Sequence, residues 1–335
     1  MLKKIGVVLL GALVACCAIT LMRTEKIYHQ FYTFRHETNA QFKASQLLAA
    51  AGKIPDLSLE KPLILDKPYK VHLVSYANGN EVYYQNQNAQ CFSGINKGID
   101  VFHLWRLNHL DAEFRAKNKK ILEQKRGAGY WVWKPYIILK TMEKANEGDV
   151  IIYLDAGLMV NMDNPNAIVN LLKEMEESHK EVFIFSSEFN PNGDIHRHYT
   201  KRDLLIYFGV DNENYRDSRC CAGTGFLAFK NSKRSREFIQ KWLDLCENEQ
   251  LVTDLPSINP EYPDFRENRH DQSILSLLSD QNKTLVCDLK DWRPFFSYHH
   301  RGNPENSLFI VAEDRTVVNN ESLFKRVQEK LIHCR

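Results

Sequence analysis

From residue 69 onward the chain predicts an α/β fold, a mainly parallel sheet with helices on both faces. Two observations carry this. Short apolar runs rich in Val, Ile, Leu and Phe recur through the chain, and stretches of helical character separate them. The 335 residues are also 44% hydrophobic, which is enough for one large core after the first 68 residues are set aside.

The elements follow in order. Val71-His72-Leu73-Val74-Ser75-Tyr76 is a strand closed by the turn Asn78-Gly79-Asn80, and a helical stretch follows it. Val101-Phe102-His103-Leu104-Trp105 is the second strand. Helices over 111–124 and 135–146 lead to the third, Val150-Ile151-Ile152-Tyr153-Leu154. Residues 166–178 read as helix and Val182-Phe183-Ile184-Phe185-Ser186 as the fourth strand. Gly225-Phe226-Leu227-Ala228-Phe229 and Thr284-Leu285-Val286-Cys287 are later strands, with helices near 233–248 and 270–279 between them. Parallel neighbours need crossover connections, and this alternation supplies them. Ligands in such sheets bind beyond the carboxyl ends of the strands, so the residues just after each strand are the ones that carry chemistry.

Three segments are expected: a cytosolic tail and anchor over 1–23, a stem helix and linker over 24–68, and the α/β domain over 69–335. Residues 5–22 form an uncharged run of 18, flanked by Lys3, Lys4 and Arg23, near the minimum that spans a bilayer as a helix. A single-pass signal anchor of type II is the first reading. A lipoprotein box, Leu13-Val14-Ala15-Cys16, is the second. With the denser charge on the short side, the N-terminus is placed in the cytosol and the domain across the membrane. That side is a Golgi or secretory lumen in a eukaryotic host, and the protein sits in the inner membrane of a bacterial one.

Charge and cysteines exclude other classes. Forty-four basic and 42 acidic residues leave a net +2, with no basic stripe interleaved with aromatics, so nucleic acid is not an expected partner. Of eight cysteines, Cys16 and Cys17 lie in the apolar run, and none of the rest has the C-x-x-C spacing of a zinc site. Disulfides and buried free thiols both stay open.

The chemistry-bearing residues cluster after the third strand, in Tyr153-Leu154-Asp155-Ala156-Gly157. A carboxylate ending a buried apolar strand is costly unless a cation meets it. Upstream, Gly127-Ala128-Gly129-Tyr130-Trp131-Val132-Trp133-Lys134-Pro135 places glycines before a helix start, where backbone can approach a phosphate and Arg126 or Lys134 can supply charge. Trp131 is assigned to the core. Later come Ala222-Gly223-Thr224-Gly225, the pair His270-Asp271, where Asp271 also suits a helix N-cap, and Ser297-Tyr298-His299-His300-Arg301-Gly302.

Together these segments resemble GT-A-fold glycosyltransferases over roughly residues 71–304. The run from Lys134 to Asp155 is similar to the basic helix and Asp-x-Asp strand end of that superfamily, with Gly157 where the second Asp stands. Ala222 to Phe229 and His299-x-x-Gly302 resemble glycogenin-like members, and Asp271-Gln272 resembles an Asp-Gln element facing their active site. The resemblance implies transfer of a sugar from a nucleotide-sugar donor to a hydroxyl on a glycan, protein or lipid acceptor, assisted by Mn2+ or Mg2+. It implies Asp155 and His299 as metal ligands, and Ser75, Tyr76, Arg126, Lys134 and Arg301 as donor contacts. Asp271 would orient a substrate or act as base, and Glu188 would serve the acceptor side. The alternative is an inactive relative that binds a nucleotide sugar or glycan, which Gly157 favours. A metal-dependent hydrolase using Asp155, His270 and His299 is a third reading.

Overall fold

In the computed structural model the described residues are 34–35, 63, 65–79, 81–94, 97–160, 164, 166–186, 195–218, 220, 222–289 and 295–298. The expected anchor over 5–22, most of the stem, and the candidates Glu188, His299 and Arg301 lie outside them. Among the described residues no helix is long and apolar enough to cross a membrane.

Nine strands are described: β1 Phe34–Arg35, β2 Val71–Tyr76, β3 Val101–Trp105, β4 Val150–Leu154, β5 Leu158–Val160, β6 Val182–Ser186, β7 Ala222–Lys230, β8 Val286–Leu289 and β9 Phe296–Tyr298. Seven of them form the main sheet in the order β1-β3-β2-β4-β7-β6-β8, and β5 pairs with β9 in a small second sheet. The longer helices are α1 Glu81–Gly94, α2 Trp133–Lys144, α3 Ala167–Ser178, α4 Lys233–Cys246 and α5 Asp271–Gln281.

The expectation of a mainly parallel sheet is corrected to a mixed one. β2 pairs in parallel with β3 and β4, and β6 with β8. β7 lies between β4 and β6 and runs antiparallel to both. The cause is the connection from β6 to β7. The chain re-enters the sheet from the end at which β6 left it, so no crossover helix is needed.

The central strands β2 and β4 alternate their apolar side chains between two layers. Ile151 and Tyr153 of β4 join Val74, Ile137, Phe238, Trp242 and Ile274 on the face covered by α2, α4 and α5. Ile152 and Leu154 join Leu73, Cys91, Phe102, Ile168 and Leu171 on the face covered by α1 and α3. α3 shows how the sequence builds this: Ile168, Leu171, Leu172 and Met175 recur at helical spacing and are all buried. Fully burying one such side chain contributes about 1.5–3 kcal/mol, so a sheet covered on both faces is well supported. α4 begins at a reciprocal cap in which Ser232 and Ser235 satisfy each other's backbone N–H groups. This packing fixes the carboxyl ends of β2 and β4, the start of α2 and the start of α5 relative to one another.

Candidate functional site

Asp155 is the first residue after β4. Its backbone N–H donates to Gly225 O at 2.8 Å, and Leu158 N–H closes a turn onto its carbonyl at 2.9 Å. The Gln90 side chain, from α1, donates from Nε2 to Asp155 O at 2.7 Å and Leu158 O at 2.9 Å. The turn is therefore held by the neighbouring strand β7 in the sheet and by α1 on one face. The Asp155 side chain stays 42% exposed.

Lys134 reaches the same place from the first turn of α2. Its side chain is 1% exposed, and its Nζ lies 3.4 Å from Asp155 Oδ1 and 3.3 Å from Asp271 Oδ2. Nζ also donates to Thr224 O at 3.2 Å and sits 5.2 Å from the centre of the Tyr153 ring. A buried ammonium costs several kcal/mol in lost hydration, and only close opposite charge offsets that. Burial alone would lower its pKa, but Asp155 and Asp271 together outweigh burial and hold it above its ordinary value.

Asp271 opens α5 and is buried. Its backbone carbonyl accepts from Trp242 Nε1 at 3.0 Å. Oδ2 faces Lys134 at ion-pair distance but has no hydrogen-bond partner among the described residues. Burial is the main reason its carboxyl is pushed up to about 6, against the pull of Lys134. Asp271 is therefore ionised at neutral pH but remains a stronger proton acceptor than an exposed carboxylate.

Tyr153, inward-facing on β4, completes the group. Its hydroxyl donates to Asp155 Oδ1 at 2.5 Å. Burial first, and then the nearby Asp155 charge, raise its pKa well above the ordinary value, so it remains a donor. Oδ1 of Asp155 is thus tied to protein on two sides. Oδ2 lies toward Gly225, where an added Cβ would come within 3.3 Å of it. Gly225 keeps that side open. Gly157 is not required by its backbone: a Cβ there would meet nothing within 4 Å.

Of the residues expected in the site, the structure brings together Lys134, Asp155 and Asp271. Arg126 pairs with two other carboxylates, 2.7 Å from Glu267 and 3.5 Å from Asp254. Ser75 and Tyr76 are buried at the end of β2, and the Tyr76 ring stacks on Trp133 with centroids 3.9 Å apart. Trp131, assigned to the core, is half-buried and packs against its edge. Gly127, Ala128, Gly129, Tyr130 and Trp131 all have positive φ, a left-handed turn that L side chains resist. Gly127 is obligatory there because a Cβ would lie 2.4 Å from the Trp131 ring. The N–H groups of residues 128–132 and Lys134 all donate within this turn, so none of these six remains to cradle a phosphate.

Gln90, Tyr153 and His270 are site residues to which the sequence assigned no place in the Lys134 group. Gln90 carries no motif signal, and Tyr153 reads as one more aromatic in a buried strand. His270 is buried, and burial lowers its imidazole to about 4, so it is neutral at physiological pH. It stands beside the site, with its Nδ1 donating to Val252 O at 2.7 Å. No group of three or more His, Cys, Asp and Glu converges as a metal site among the described residues.

No family model and no curated protein matches the chain. Solved structures do resemble it. Mouse xyloside xylosyltransferase 1 is 11% identical over 66% of this chain and 84% of its own, with a TM-score of 0.39. Galactosyltransferase LgtC, solved with donor and acceptor sugar analogues, is 14% identical over 77% of this chain and 95% of its own, with a TM-score of 0.38. Glucosyl-3-phosphoglycerate synthase from Mycobacterium tuberculosis, solved with Mn2+, uridine diphosphate and phosphoglyceric acid, is 12% identical over 79% of this chain and 78% of its own, with a TM-score of 0.34. These structures to which the chain is similar are glycosyltransferases. Scores this low fix no residue role, so the chemistry rests on the chain's own groups.

Proposed function

We propose that this protein is a glycosyltransferase, moving a sugar from a nucleotide-sugar donor to a hydroxyl acceptor on a glycan, protein or lipid. The observation that carries the reading is the Lys134 ammonium, buried between Asp155 and Asp271 at the carboxyl edge of the sheet. An ion pair built only for stability gains nothing from leaving one carboxylate 42% exposed beside a glycine-lined opening. A charged group held ready for a ligand does.

In the reaction the bond from the sugar's anomeric carbon to the diphosphate breaks, and the electron pair leaves with the diphosphate. The acceptor oxygen bonds to that carbon and its proton passes to a base. Lys134 and Tyr153 fix Oδ1 of Asp155, so the carboxylate presents Oδ2 without rearranging when charge develops. Lys134 adds positive potential at the same point. Asp271, with 3% side-chain exposure, suits holding that ammonium better than meeting an acceptor hydroxyl. Glu188 is the proposed acceptor-side residue.

A divalent cation, Mn2+ or Mg2+, fits the open oxygen of Asp155, since such ions take one or two carboxylates and complete their shell with substrate phosphates. When bound it would neutralise the charge that gathers on the departing diphosphate. His299 is the proposed second ligand. In support, β9 ends at Tyr298, whose Cα pairs with Leu158, three residues beyond Asp155. Arg301, Ser75, Tyr76 and Arg126 remain proposed donor contacts, and residues 5–22 the proposed membrane anchor. One observation favours a second reading, a nucleotide-sugar-binding module without turnover: Gly157 offers no second carboxylate.

The test is a panel of nucleotide sugars with Mn2+ and the purified protein, products read by mass spectrometry. Asp155→Ala is expected to lose at least about 100-fold in rate. Its melting temperature should fall, because the buried Lys134 ammonium keeps Asp271 but loses Asp155 and the Tyr153 hydroxyl loses its acceptor, so rates are compared well below either transition. Undiminished metal-dependent transfer in the variant refutes the assignment. Donor affinity without turnover in the wild type selects the binding module.

A further inference from the structure

We infer that His270 is a positioning residue, whose imidazole is anchored away from the reacting groups and fixes the turn that aims Asp271 at Lys134. Through its activity readout the inference rests on the proposed transferase reading.

The backbone angle at His270 is one its residue type does not explain. His270 has φ 54 and ψ −121. Gln272 N–H donates to Arg269 O at 3.0 Å, which closes a four-residue turn over Arg269, His270, Asp271 and Gln272. Those angles belong to the first central position of a type II′ turn, where glycine is at home and a side chain is strained. A chain that needed only the turn would be better served by glycine.

The imidazole is what holds the strained residue. A carbonyl oxygen only accepts, so Nδ1 is the protonated nitrogen, and it donates to Val252 O at 2.7 Å. The ring packs on Tyr130, with centroids 4.7 Å apart, and on Trp131 at 5.6 Å. Both aromatics come from the left-handed turn over 127–131, which Trp133 Nε1 braces by donating to Gly127 O at 3.0 Å. Two backbone segments that are each unfavourable alone therefore lock against each other. Strain of this kind persists only where the surroundings over-determine it, and it gathers at functional sites.

The next residue along is Asp271, 3.3 Å from Lys134 Nζ. His270 touches no solvent-facing surface at 1% exposure, and its Nε2 is buried 3.7 Å from Asp254 Oδ1, so it meets no substrate. It acts through Asp271.

His270→Gly separates this role from a structural one, because it relieves the turn while removing the anchor. In the full-length protein the variant is expected to melt cooperatively and lose about tenfold or more in kcat, with donor KM within about threefold of wild type. The Asp271 carboxyl, followed by 13C NMR, should titrate lower than in the wild type as it escapes burial. Unchanged kcat together with unchanged Asp271 titration overturns the inference. Should the glycine variant fail to fold, Tyr130→Leu removes one wall of the ring's seat and keeps the backbone; both readouts must then move in the same directions. A wild-type protein that transfers no sugar sinks the transferase reading, and the Asp271 titration still decides the role of His270.

Discussion

Lys134→Met removes the one cation that both carboxylates share, and the structure says which of them suffers. Asp155 is 42% exposed, so losing a partner 3.4 Å away costs it no more than about 1 kcal/mol. Asp271 is 3% exposed with Lys134 Nζ at 3.3 Å, which at an effective dielectric constant of about 20 is an attraction of about 5 kcal/mol. That figure is a ceiling, because the stranded carboxyl takes a proton instead of staying charged. The sign follows from the wild type, where Asp271 is already pushed up to about 6, mainly by burial. A raised carboxyl favours the folded state at low pH, and its penalty grows as pH rises through that value. Without Lys134 it rises further. Urea melts should show the variant destabilised by about 2–4 kcal/mol at pH 8 and by less than about 1 kcal/mol at pH 5, where the wild-type carboxyl is protonated too. Transfer should fall by about 100- to 1,000-fold. Equal destabilisation at both pH values, or intact transfer, refutes the reasoning.

Further outcomes follow from the same geometry. Gly157→Asp should fold normally, since its Cβ meets nothing within 4 Å, and should tighten Mn2+ binding in calorimetry with a nucleoside diphosphate present. Gly127→Ala should lower stability in urea melts by about 1–3 kcal/mol or more, because φ is +57 and the Cβ would lie 2.4 Å from Trp131. A rate profile from pH 5 to 8 should fall on its acid side near the Asp271 value of about 6, as protonation releases Lys134. That limb should vanish in Asp271→Asn, whose residual rate is flat.

The repeating elements were legible because pattern and length agreed. β2, β3 and β4 are buried strands of five or six residues, and each reads as a short, mostly apolar run; β6 reads the same way. β5 and β9, three residues each, are too short for any period to register. The direction of β7 depends on the route taken between Ser186 and Ala222, a property of the fold that no local run encodes. Proline at 135 pointed to a helix start, and α2 begins two residues earlier, at Trp133, because proline is tolerated throughout the first turn. Asp155 stood out as an acid ending an apolar strand. The burial of Lys134 between that acid and another 116 positions downstream of Asp155 did not, since convergence of distant segments leaves no local trace. His270 reads as an ordinary polar residue before a helix; only its backbone angle marks it out.

The most direct test of the account is hydrogen exchange on the full-length protein, with and without a nucleoside diphosphate and Mn2+. Protection concentrated in residues 153–158 and 269–274, and abolished by Asp155→Ala, is the predicted result. Protection confined to other segments, or unchanged in that variant, would contradict a ligand site built on Lys134, Asp155 and Asp271.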